Sequence, residues 1–136
     1  MRDPIAWRIV RYLFAAYYIY VGVRVGLTLV GVTPPIPLKV SAESAAFQGA
    51  LAKTGFVDPA LVATYIASGG ALLLHRTAPL GVVLLAPVMV IIFLTDTLLD
   101  KAWLWASGHA LVLLALAWHF RAAYRPLWNY SSSPET

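Results

Sequence analysis

YLFAAYYIYVGVRVGLTLVGV, Tyr12 to Val32, is an apolar run with a single charge inside it, Arg24. About 20 apolar residues cross the hydrocarbon of a bilayer, so the run is long enough to be a membrane helix. A charge within such a span costs at least ~2.5–3.5 kcal/mol unless it meets a partner or water. Arg24 therefore predicts a polar site between helices, with partners supplied from elsewhere in the chain.

The rest of the composition agrees with a membrane protein. The chain has 136 residues, of which 60% are hydrophobic and 12% charged, and its mean hydropathy is +0.75. A soluble domain of this size carries roughly twice that charged fraction. The predicted class is an all-α integral membrane protein of one small domain, residues 1–130, followed by a polar, disordered tail from 131 to 136. There is no cysteine, which excludes disulfides, thiolate metal ligands and Cys-X-X-Cys redox chemistry. The formal charge of +4 is read as orientation, not as nucleic-acid binding, because no basic run is interleaved with aromatics. Arg2, Arg8 and Arg11 precede the first apolar run in the manner of a signal peptide. The run is too long for a signal core and ends in Gly31-Val32-Thr33-Pro34-Pro35, so it is read as a retained membrane helix.

Four apolar segments are predicted to be membrane helices, at about 9–32, 59–74, 78–99 and 102–122. His75-Arg76-Thr77 and Asp100-Lys101 are tight polar breaks, and such short connections force antiparallel neighbours. The expected architecture is an up-down-up-down four-helix bundle. The long connection after Pro34, Pro35 and Pro37 contains a short amphipathic helix, with Ser41 as N-cap, Gly55 as C-cap and Phe47, Ala50 and Leu51 on one face. It is expected at the membrane surface, where it can shape the mouth of a pocket or serve as an ordinary surface helix. Six Arg residues (2, 8, 11, 76, 121, 125) fall on one side and Lys39, Lys53 and Lys101 on the other, which predicts both termini cytoplasmic.

Counting ~1.5 Å per residue from each helix end puts Arg24 and His109 about 10 Å below the outer boundary and Tyr65 about 9 Å below it. Asp96 sits near the outer end of the third helix. Tyr17, Tyr20, Arg24 and Thr28 share one stripe of the first. The candidate ligand site is therefore Arg24, Asp96, His109, Tyr65 and Tyr20, with Arg24 paired to Asp96. Two blander readings stand beside it: an Arg24–Asp96 pair that only fixes helix register, and an Arg24 that snorkels upward.

Gly22-x-x-x-Gly26 and Gly69-Gly70 permit close helix approach, within the bundle or between molecules. Pro87 is expected to kink the third span. His75 and His119 near the inner boundary form a weak candidate for b-type haem ligation. Trp7, Trp103, Trp105 and Trp128 lie near helix ends as anchors, and secondarily as stacking surfaces. Nucleotide-loop, zinc-ligand and G-x-S-x-G patterns are absent.

A family resemblance follows from the order of several pieces: Ala46-Phe47, Lys53-Thr54-Gly55-Phe56, Gly69-Gly70-Ala71-Leu72-Leu73-Leu74, Arg76-Thr77-Ala78-Pro79-Leu80-Gly81, Leu85-Ala86-Pro87-Val88-Met89-Val90 and Ala123-Tyr124-Arg125-Pro126-Leu127. Gly22-Val23-Arg24 matches the small-residue and basic position of the first helix. In this order the chain resembles the DoxX family of small four-helix membrane proteins. At Ile66 or a neighbour, at Ile91 and at Asp96 it departs from the Glu, Asn and His common there. The resemblance implies a membrane protein of the respiratory or redox periphery. Together with the polar layer it leads to the expectation of an inner-membrane protein that binds quinone or another small amphipathic molecule in its outer half and, if redox active, takes its electrons from a partner subunit of a larger membrane redox complex. The competing expectations are a non-catalytic accessory subunit, marked by an exposed Gly22/Gly26 face, and a b-haem electron carrier.

Overall fold

The computed structural model describes residues 4–37 and 39–128, and among them there is no strand. The predicted tail at 131–136 lies outside the described residues. The helices are α1 (Ile5–Leu29), α2 (Ala42–Lys53), α3 (Val57–Leu73), α4 (Ala78–Leu94) and α5 (Trp103–His119). A π turn, Thr95–Leu99, extends α4. A 3-10 turn at Arg121–Tyr124 and the short α6 (Arg125–Trp128) follow α5.

Two stretches, Ile5–Leu29 and Ala78–Leu99, are long and apolar enough to cross a membrane. α2 with α3, and α5 with the segment Arg121–Trp128, meet the same test only as pairs bent by 94° and 71°. The protein thus has two to four candidate spans. Its outer surface matches a lipid environment: Leu13, Leu80, Val90, Leu111 and Leu114 are all exposed. Water-soluble monomers do not display apolar surface on that scale.

Element boundaries have local causes. α1 begins four residues before the predicted start, because Trp7 and Arg8 are good helix residues at a membrane edge even though they lower the hydropathy. It stops when Gly31 turns to φ +76°, with Val32 N–H bonding back to Leu27 O at 2.9 Å. The Ser41 hydroxyl caps α2 by accepting from Ser44 N–H at 3.0 Å, and Gly55 at φ +75° makes the corner into α3. The face carrying Phe47 and Ala50 is exposed, and the residue α2 buries is Ser44. α4 runs on through Pro87. α5 ends at His119, three residues short of the predicted 122.

α1 packs along α3, α3 on α4, and α4 on α5. Glycine makes the first two contacts close. A Cβ on Gly69 would lie 2.6 Å from Ile19 and 3.0 Å from the Ala15 carbonyl, and one on Gly81 would lie 2.7 Å from the Ser68 carbonyl. Gly22 and Gly26 likewise face Tyr65, Ile66 and Val62 of α3, so this motif packs inside the molecule. The core runs through Phe14, Tyr18, Tyr65, Leu72, Leu85 and Leu116.

Candidate functional site

The buried guanidinium belongs to Arg11, not to Arg24. Arg11 is 2% exposed and donates from Nη1 to the carbonyls of Leu72 and Leu73, the latter at 2.8 Å. Its guanidinium also lies 4.7 Å from the Tyr12 ring centroid. The last carbonyls of a helix have no intrahelical donors, and a cation is favoured there by the helix dipole. Arg11 thus caps the C-terminus of α3, and Thr77 Oγ completes the cap by donating to Ala71 O at 2.8 Å.

Arg24 does not reach Asp96. Its Nη2 donates to the Pro34 carbonyl at 3.1 Å and its Nη1 meets Thr28 Oγ at 3.5 Å, beside a Thr28–Thr33 hydroxyl contact of 3.2 Å. The guanidinium thus turns toward the C-terminal end of its own helix and the loop that follows it. The reason is register. Trp7 stacks on His119 with ring centroids 4.4 Å apart, and Tyr17 faces His109 at 5.1 Å. In the antiparallel register these pairs define, Arg24 lies opposite Ala102, before α5 has begun. Equal depths had assumed that all helices end in one plane, whereas α1 projects past its neighbour. Tyr20 is also displaced from the site, at 61% exposed.

The remaining three expected residues do come together, with additions. Asp96 lies within electrostatic reach of His109 and of Tyr17, Tyr18 and Tyr65. Tyr65 is 8% exposed and its ring is 5.6 Å from that of Tyr18, whose hydroxyl points at Met89 Sδ at 3.9 Å. His109 is flanked by Trp105 at 4.4 Å and by Tyr17 at 5.1 Å. Asp96 is half-buried, and its carboxylate makes no hydrogen bond among the described residues. It stands on the π turn, a distortion that often accompanies function. The same turn holds Thr97 Oγ buried without a hydrogen-bond partner among the described residues.

Beside this cluster, a groove of about 320 Å³ opens between α1 and α5, lined by Phe14, Leu104, Trp105, Gly108, His109 and Val112. Its size is at the lower end of the ~300–1,000 Å³ usual for small-molecule sites. No family model matches the chain, and neither a curated protein nor a solved structure matches it.

The outer end is held by a second carboxylate. Asp100 accepts from Ser41 N–H at 2.7 Å and from the Ser44 hydroxyl at 2.8 Å, and Gln48 Nε2 donates to that hydroxyl at 3.1 Å. The Ser41 N–H is the main cause that holds the Asp100 carboxyl below the usual carboxylate range. This anchors the start of α2 over the end of α4. The histidines at the other end are packed on aromatic rings: His119 on Trp7 and Phe120, and His75 against Phe120 at 5.8 Å. Among the described residues no cluster of three or more metal-ligating side chains occurs.

Proposed function

We propose that the chain is a DoxX-like four-helix membrane protein that binds quinone or another small amphipathic molecule, as a subunit of a membrane redox system. In this reading α1, α3, α4 and α5 cross the inner (plasma) membrane up-down-up-down, with both termini cytoplasmic. α3 and α5 are 17 residues each, about 25 Å long, and reach across the ~30 Å hydrocarbon with their bent extensions at the interface. The observation that carries the ligand reading is the convergence of Asp96, His109, Tyr17, Tyr18 and Tyr65, from four helices, beside an open groove. Such a molecule needs an apolar slot for its body and a few polar groups for its head. Arg24 and Tyr20 stand outside this binding set.

The test is binding of decylubiquinol, the reduced and hydroxyl-bearing form of the quinone, to the purified protein kept under reducing conditions. His109→Leu is expected to weaken it at least tenfold and Arg24→Ala to leave it unchanged. Undiminished binding in His109→Leu would sink the assignment. The accessory-subunit alternative draws no support from Gly22 and Gly26, which face α3. The haem alternative is decided by the visible spectrum, where a Soret band would establish it.

A further inference from the structure

Gly108 is exposed in the interior of α5, where glycine costs about 1 kcal/mol relative to alanine. Packing does not explain it, because an added Cβ would meet nothing within 4 Å, and its backbone is not left-handed. Gly22, Gly69 and Gly81 are each pressed against a neighbouring helix, whereas Gly49, Gly70 and Gly108 are open, and of these three it is Gly108 that lines the groove. What Gly108 leaves is room in the wall of the α1–α5 groove, between Leu104 and Val112 one turn to either side. α1 and α5 approach each other far less closely than α1 and α3, which leaves the groove open between them.

His109 defines the polar end of this slot. Its Nδ1 is 3.2 Å from the Trp105 carbonyl. A carbonyl oxygen only accepts, so Nδ1 must carry the proton, and in the neutral ring Nε2 is left with a lone pair. The ring's remaining nitrogen is an acceptor, and its natural partner is a donor. The other ring surfaces in the slot, Phe14 and Trp105, are apolar or stacking faces.

We infer that the α1–α5 groove admits a membrane-dissolved molecule laterally and recognises it by a hydroxyl group donated to His109 Nε2. Resting on the proposed ligand site, this inference specifies the ligand's chemistry. A phenol, hydroquinone or lipophilic alcohol fits, whereas a molecule whose only polar groups are carbonyls or ethers presents acceptor to acceptor.

The experiment uses the full chain with 15N-labelled histidine in phosphatidylcholine bicelles at pH 8.5. The probes are 4-octylphenol and its methyl ether, 4-octylanisole. The expected result is the Nδ1–H tautomer for His109 and saturable octylphenol binding at least tenfold tighter than octylanisole. Gly108→Leu should weaken octylphenol at least tenfold, and Val112→Phe should obstruct the slot from the next turn. Gly70→Leu, placed in equally open space on α3, should leave binding unchanged. An Nε2–H tautomer, equal affinities for phenol and ether, or binding indifferent to both obstructing variants each overturns the inference. Equal affinities that are both lost in Gly108→Leu would overturn hydroxyl recognition alone and leave the ligand site standing. If neither probe nor decylubiquinol perturbs His109, the site itself fails with it.

Discussion

Replacing Arg11 with methionine tests which guanidinium is structural. The variant keeps an unbranched side chain but removes both hydrogen bonds to the end of α3, leaving the Leu72 and Leu73 carbonyls without their donor. A hydrogen bond from a charged donor contributes about 1.5–3 kcal/mol, and a cation at a helix C-terminus adds about 0.3–1. Against this, methionine relieves the cost of burying a cation, several kcal/mol before its partners offset it. A net loss of about 3 kcal/mol follows from these terms. For a chain of this length that is roughly 10–15 °C in melting temperature, read by circular dichroism at 222 nm in detergent micelles. Arg24→Met is the internal control. Arg24 is half-buried and its bond to the Pro34 carbonyl is exposed, so its loss should cost about 1 kcal/mol or less. If Arg24→Met lowers the melting temperature as much as Arg11→Met, the assignment of the buried cation is wrong.

Adjacent glycines should respond oppositely to alanine. Gly69→Ala drives a Cβ into Ile19 and the Ala15 carbonyl and should cost about 1–3 kcal/mol, whereas Gly70→Ala meets open space and should stabilise by about 0.5–1 kcal/mol, both measured by thermal unfolding. Asp100→Ala should loosen α2, because Ser41 N–H and the buried Ser44 hydroxyl lose their acceptor; a spin label at Phe47→Cys, unambiguous in a chain without cysteine, should gain mobility in the EPR spectrum. The same label reports pH dependence: a carboxyl depressed on folding stabilises fully above the ordinary ~3.9 and loses that contribution as pH falls through its lower folded value, so α2 should stay docked at pH 5 and loosen only in stronger acid. Loosening between pH 7 and pH 5 would contradict the Asp100 anchor.

Much of the helical layout was legible in the sequence because hydropathy, Ser41 and Gly55 report local physics. The third apolar segment, 78–99, matches α4 plus its π turn, and the short helix in the long connection begins where its cap residue stands. The site was only partly legible. Counting depth placed Asp96, His109 and Tyr65 in one layer, and they do lie near one another, but it failed for Arg24 because helix ends are not coplanar. A better signal was available in α1: Arg11, Ala15, Tyr18 and Gly22 recur at spacings of four, three and four, the period of a buried seam. Arg24 lies off that seam, on the stripe of Tyr17 and Thr28. Tyr17, Tyr18 and Trp105 escaped because ring-on-ring packing between α1 and α5 depends on inter-helix register, which no single segment encodes. The π turn had no sequence marker, since Thr95–Leu99 reads as a continuation of an apolar helix.

The acceptors of the Arg11 guanidinium lie 61 and 62 residues further along the chain. A ribosome therefore delivers the cation long before it delivers what satisfies it. Until Leu73 has been made, Arg11 lacks the carbonyls it meets in the folded protein. Once α3 is in place, the same side chain fastens the opening turns of the first helix to the far end of the third, so this clasp closes late in synthesis.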